Sequence, residues 1–356
     1  MVVAWGDRVV DLSALDGLDV GAECWGSGSL DAFFALGPDA WAATAAQLQA
    51  RLVEPVPPGA VRARSDASMV LPFTVADYVD FYASEAHATH MGQLLRPGTD
   101  PLPRAWRHLP LGYHGRAGTV VASGTPIVRP SGLLGPCSYG PSQRLDVEVE
   151  LGFVIGAGSA PGRPVPVDRA ETHVFGVVLV NDWSARDIQA FEYQPLGPLL
   201  GKSFATSISP WVVPLAALAP FRVDGPAQDP PPAAHLRAIE PRGFDVRLEL
   251  ELCGTVVSRT SAADLYWSVA QLVAHLTSNG AALRAGDLLA SGTISGWEPA
   301  TQGSLMELTR AGADPIPLAD GTERSWLEDG DTVVIRGWAG EEGLSLGEVS
   351  GTIEES

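Results

Sequence analysis

The densest group of chemically capable residues is Asp146-Val147-Glu148-Val149-Glu150, three carboxylates alternating with valines. On a strand successive side chains point to opposite faces. All three acids therefore share one face, and Leu145, Val147, Val149 and Leu151 share the other. Carboxylates two residues apart on one face repel unless water or a cation screens them. Spacing alone favours a solvated strand face. The sharper reading is a hard-cation site, because Ca²⁺ and Mg²⁺ take oxygen ligands, and it needs more oxygens from elsewhere. Asp182 is one source: it follows the apolar run ending at Val180, and residues just past buried strands are held on a rigid scaffold. Asp182 or Ser184 could equally cap the helix that follows. Along that helix Arg186, Gln189 and Tyr193 fall at i, i+3 and i+7, either a wet stripe or donors aimed at a substrate oxygen.

A third group is DYVDFYASEAHATHMGQLLR, residues 77–96. Asp80 and Tyr82 lie two apart and point the same way in an extended segment. Ser84 can cap a helix beginning there, which puts His87 in its first turn, where the positive helix end favours a neutral imidazole able to act as a base.

The elements that must hold these residues read as mainly β. LDVEVELGFVIG (145–156) alternates like a half-buried strand, and THVFGVVLVN (172–181) reads as a fully buried one. RGFDVRLELELCGTVVSRT and DTVVIRGW add further strands. A helix is expected over 265–279, with Leu265, Val269, Leu272, Val273 and Leu276 on one stripe and Gly280 past its end. ALAPFRVDGPAQDPPPAAH (217–235) reads as an exposed loop. Residues 1–70 form a small unit of short apolar runs and one helix around Trp41, Leu48 and Leu52, closed by EPVPPGAV; they carry no catalytic-looking cluster. The expected division is therefore 1–70 and 71–356.

Composition narrows the function classes. The chain has 356 residues, with 23 Lys and Arg against 42 Asp and Glu, a formal net charge of −19. That excess excludes a phosphate-tracking nucleic-acid binder and disfavours docking on anionic membrane. Only 18% of residues are charged and 46% are apolar, so the acidity does not signal disorder. Three scattered cysteines, Cys24, Cys137 and Cys253, form neither a disulfide framework nor a metal motif, which fits a reducing cytoplasm. The N-terminus lacks the pattern of a signal peptide, and the run Phe175–Val180 is too short to span a bilayer.

These stretches, together with LPLGYHGRAGTVVASGTPIVRP (109–130), PLGPLLGKSFATSISPW (195–211) and LLASGTISGWEPATQGSLMELT (288–309), resemble the fumarylacetoacetate hydrolase family. The likeness runs from about Val70 to the C-terminus; NDWSARDIQ and GYHGRA followed by SGTP are its specific strings. The resemblance implies a small SH3-like N-terminal β-barrel over 1–70 and a large α+β, mainly β catalytic domain of sandwich or roll type over 71–356. It implies metal-dependent hydrolysis of the carbon–carbon bond of 4-fumarylacetoacetate, in tyrosine and phenylalanine breakdown, by a cytoplasmic homodimer. Asp80, Glu148, Glu150 and Asp182 match the ligands of Ca²⁺ or Mg²⁺, so Asp146 drops out of the same-face trio. His87 matches the base and Glu307 the carboxylate that orients it. Arg186, Gln189 and Lys202 match the polar set around the reacting oxygens, and Tyr82, Arg96, Tyr113, Tyr193 and Thr293, with Gln189, the substrate contacts. Lys202 and Thr206 correspond to a second, Mg²⁺-associated position, where Ala205 departs from the family's Gly in KSFGT.

Two competing functions follow. Relatives acting on acylpyruvates or other β-diketo acids share the acidic cluster but lack the N-terminal unit and the HATH…GYHGR region. A non-catalytic metal-binding scaffold would not need the base, its orienter and the oxyanion donors together.

Overall fold

The computed structural model describes residues 1–53, 55–341 and 343–356. Its centre is a mixed sheet of eight strands. In spatial order seven of them are Gly112–His114, Asp77–Phe81, Asp287–Ala290, Val149–Ile155, Val174–Asp182, Thr206–Ile208 and Val120–Ala122. Val213–Pro214 pairs with Val174–Asp182 off that row. A second, five-stranded sheet runs Thr255–Ser261, Val246–Leu252, Thr332–Ala339, Leu344–Glu354 and Ile127–Val128. The two share one core: Leu151, Phe153, Val177 and Leu179 of the first meet Leu248, Leu250, Ile335 and Leu346 of the second. The mainly β expectation is met.

Alternation explains how the central sheet is covered on both faces. Tyr78, Val154, Val178, Val180, Ile208, Leu288 and Ala290 belong to a second core, with Trp25, Phe33 and Phe34 from the N-terminal region. Phe175 is the junction, its ring 4.9 Å from Phe34, 5.2 Å from Trp41 and 5.8 Å from Phe33. Residues 1–70 carry their own antiparallel sheet, Val2–Trp5, Arg8–Asp11 and Val61–Ala63, and the helix Gly37–Leu52. They shield one apolar face of the central sheet.

Three local expectations change. The strand Val149–Ile155 is buried at every residue, so its alternation does not mark a half-buried strand: acids and valines both face protein. The expected helix over 265–279 spans only Val269–Thr277, because Ser268 and Gln271 form a capping box that starts it one turn later. The segment 217–235 is not all exposed loop, since Leu215–Phe221 is a 3₁₀ helix with Leu215 and Leu218 buried.

Candidate active site

Four carboxylates meet at one end of the central sheet. Asp80 pairs with Tyr113 on one side and Ala290 on the other, and Ala290 in turn pairs with Gly152. Glu150 lies opposite Val180, and Asp182 ends its strand opposite Thr206. Alternation puts Asp80, Glu150 and Asp182 on the face that, further along, packs against residues 1–70. Gly152 is required there: a Cβ would meet Val180 at 2.7 Å and Leu288 at 2.8 Å. Glu148, just before its strand, bridges to Ser304, and its N–H donates to Asn181 Oδ1 at 3.1 Å.

One oxygen from each of Asp80, Glu148, Glu150 and Asp182 lies within 4.8 Å of the others, and all four residues are buried. The solvated-face reading therefore fails. Asp80 Oδ1 and both oxygens of Glu150 have no hydrogen-bond partner among the described residues. Buried polar atoms are normally paired, and an unpaired carboxylate is costly in a dry interior. Burial, then Asp182, pushes the Asp80 carboxyl well above its ordinary range. Burial, then Asp80 and Asp182, does the same to Glu150. Glu148 goes the other way: burial alone would raise it, but Arg186, Lys202 and His87 hold it well below. The site thus lacks positive charge at Asp80 and Glu150. Orphaned oxygens, mutual repulsion and an all-oxygen donor set fit a hard divalent cation.

The cations present bond to Glu148 and Asp182 rather than to Asp80 or Glu150. Lys202 Nζ donates to Glu148 and, at 2.6 Å, to Asp182 Oδ2. Thr206 Oγ1 donates to Asp182 Oδ1 at 2.9 Å, and Tyr113 Oη lies 3.0 Å from Asp80 Oδ2 and 2.8 Å from Asp182 Oδ2. Ala205 is buried and is not among the residues with left-handed backbone, so its methyl brings no backbone strain. Arg186, at the start of the helix Arg186–Glu192, donates to Glu148 Oε1 at 2.7 Å, Asp146 Oδ2 at 2.8 Å and Gln189 Oε1 at 3.2 Å. Asp146 lies outside the cluster. It accepts the N–H groups of Leu305 and Met306 at 2.8 and 3.2 Å and so ties Arg186 to the helix Leu305–Leu308. Neither Asp182 nor Ser184 caps the Arg186 helix; its N-cap is Ala185.

A second group faces the cluster. Ser84 caps the helix Glu85–Leu95 by accepting the His87 N–H, as expected. His87 Nδ1 is 2.7 Å from Glu307 Oε2, and its Nε2 is 4.0 Å from Glu148 Oε1. A carboxylate only accepts, so Nδ1 donates to Glu307, and Nε2 is the ring nitrogen directed toward the cluster. Glu307 Oε2 also accepts from Ser304 Oγ at 2.8 Å and Ser295 Oγ at 2.9 Å, while His90 Nδ1 takes Oε1 at 2.9 Å. Burial alone would raise the Glu307 carboxyl, but His87 and the bonds from His87, His90 and Ser304 hold it well below the usual range. Tyr82 stands edge-on to His87, ring centres 5.3 Å apart. Burial, then Glu307 and Glu148, pushes its phenol up, while Arg96 and Arg186 oppose. Thr293 Oγ1 is buried without a partner among the described residues. Arg96 and Tyr193 are more peripheral. Arg96 ends the Glu85–Leu95 helix and donates to the Pro101 carbonyl at 2.9 Å; Tyr193 ends the Arg186 helix, its hydroxyl accepting from Gln194 at 2.9 Å.

Sequence reasoning missed His90, Ser295 and Ser304. His90 stands at i+3 from His87 on one helix face, and Ser304-Leu305-Met306-Glu307 is a capping-box pattern; both signals were readable.

A family model described as fumarylacetoacetate (FAA) hydrolase C-terminal matches residues 77–354. The chain belongs to the fumarylacetoacetate hydrolase family. Among its relatives, the fumarylacetoacetase of Homo sapiens is 44% identical, the alignment covering 97% of this chain and 88% of the human one. Among solved structures, a fumarylacetoacetate hydrolase from psychrophilic Exiguobacterium antarcticum is similar with TM-score 0.59 and 19% identity, covering 100% of this chain and 95% of that one. A fumarylpyruvate hydrolase from Pseudomonas aeruginosa, in complex with Mn²⁺ and pyruvate, shares the fold at TM-score 0.50 and 21% identity, covering 82% and 93%. Members of the fumarylacetoacetate hydrolase family thus supply the fold, and no helix among the described residues is long and apolar enough to cross a membrane.

Proposed function

We propose that this chain is a metal-dependent hydrolase that cleaves the carbon–carbon bond of 4-fumarylacetoacetate, giving fumarate and acetoacetate. The observation that carries this reading is the meeting of two groups. A cluster short of positive charge faces a histidine whose other nitrogen is held by a buried carboxylate. The relatives' name at 44% identity over 97% of the chain supports the substrate.

Asp80, Glu148, Glu150 and Asp182 would hold Ca²⁺ or Mg²⁺, which supplies Lewis acidity toward a diketo oxygen. His87 Nε2 takes a proton from water as the water's oxygen attacks the carbonyl carbon, and Glu307 fixes the ring and stabilises the imidazolium. Arg186, Gln189 and Lys202 face the developing oxyanion and the enolate left by carbon–carbon cleavage. His87 then returns its proton to the leaving carbon. Arg96, with Tyr82, Tyr113, Tyr193 and Thr293, receives the rest of the substrate; a guanidinium suits its distal carboxylate. Lys202 and Thr206, both donating to Asp182, would border a second Mg²⁺ position, with the Thr206 hydroxyl oxygen rather than the Lys202 ammonium able to face the ion.

We read residues 1–70 as a separate SH3-like unit and 71–356 as the catalytic one, supported by a three-stranded sheet that, among the described residues, pairs with no other. A cytoplasmic homodimer completes the proposal. Exposed Phe191, Leu196, Leu199 and Leu200, beside the site, are apolar surface that a second copy would cover. Purified protein supplied with Mg²⁺ or Ca²⁺ is expected to consume fumarylacetoacetate with far higher kcat/KM than acylpyruvates. The reverse ranking, or turnover of neither, overturns the reading.

A further inference from the structure

The bonds around Glu307 are unequal. Oε2 accepts three donors, from His87, Ser295 and Ser304, whereas Oε1 accepts from His90 Nδ1 at 2.9 Å. The Glu307 side chain is 1% exposed, so without His90 its Oε1 would lose its one protein donor among the described residues. His87 and His90 sit three residues apart on the helix Glu85–Leu95, so one carboxylate clamps two imidazoles from one helix face. Carboxylates only accept, so His90 carries its proton on Nδ1, as His87 does. The His90 ring stands edge-on to Trp297, ring centres 5.5 Å apart and planes at 80°.

We propose that His90 is a positioning residue. Its Nδ1–H holds Glu307 Oε1 so that the carboxylate plane keeps Oε2 on His87 Nδ1 and leaves His87 Nε2 aimed at the attacking water. Three donors on one oxygen cannot set the rotation of a carboxylate about its terminal bond as firmly as donors on both. The side-chain partners of His90 among the described residues are Glu307 and Trp297, and neither is a carboxylate of the acidic cluster. Its loss should therefore appear in the chemical step, not in substrate or cation binding.

The inference rests on the reading of His87 as the base, and the test separates the two. An Asn side chain can place an amide N–H near the position of Nδ1, whereas Gln reaches nearer that of Nε2; both are polar and comparable in bulk. His90→Asn is expected to keep kcat within about threefold, and His90→Gln to lose roughly 10–100-fold in kcat, as partners behind a first-contact residue typically do. KM for fumarylacetoacetate and Mg²⁺ affinity by calorimetry are expected to stay within about twofold of the unsubstituted protein in both. Asn and Gln variants equally active, or equally impaired, overturn the proposal, as does a loss carried by KM. His87→Ala is measured beside them. If it remains active the base reading falls, and the inference with it. If it is inactive while His90→Gln matches the unsubstituted protein, only the inference falls.

Discussion

The two halves of the site are built on opposite principles. Around Glu307 every oxygen is satisfied, by two histidines and two serines, and its carboxyl sits well below the usual range despite burial. Around Glu150 neither oxygen is satisfied, and burial with neighbouring acids pushes the carboxyl far up. Both residues are buried, so burial is not the difference. The first has its hydrogen bonds supplied from within the protein, as the proposed proton transfer by His87 requires. The second is left with unpaired carboxylate oxygens, as the proposed cation site requires. Arg186 joins them, one nitrogen on Asp146, which accepts the first N–H groups of the Glu307 helix, and another on Glu148 of the cluster.

The contrast can be broken from either side. His87→Ala should have the largest effect, a fall in kcat of about 10²–10⁴-fold, with divalent-cation affinity by calorimetry nearly unchanged. A parallel loss of cation binding would show that the halves are not separable. Arg186→Met should lower kcat by roughly 10²–10³-fold, because an oxyanion donor is lost. Removing a positive charge beside the cluster should leave cation affinity equal or higher, which distinguishes a donor from a ligand. Glu150→Gln should abolish cation-dependent thermal stabilisation, a gain of about 2.7 kcal/mol in the unsubstituted protein at a hundred times Kd. Without cation the same variant should melt no lower, since it removes a repelled, unpaired carboxylate. The smallest effect is Ala205→Gly, with kcat and Mg²⁺ dependence expected within about twofold, because the alanine backbone is unstrained.

Much of this was legible in sequence, for local reasons. Ser84 before EAH announced a cap, and the cap delivered His87 where expected. The apolar run ending at Val180 announced a buried strand, and Asp182 emerged at its end. The burial of the acidic face was not legible. Period-two alternation is the same whether acids face water or an enclosed site, and only Asp80 and Asp182, from distant parts of the chain, decide between them. Asp146 shows the same limit. It shares the repeat with Glu148 and Glu150, but the strand breaks between Asp146 and Val149, and its carboxylate turns to the N–H groups of Leu305 and Met306. The role of residues 1–70 in backing the catalytic sheet through Phe175 also depends on contacts that no local pattern encodes.

The most direct test of the division of labour is a divalent-cation titration of chelator-stripped protein, following the loss of fumarylacetoacetate absorbance. The account predicts a folded but inactive protein after stripping, with turnover returning along a saturable curve as Mg²⁺ or Ca²⁺ is added. Full turnover in excess chelator would contradict it.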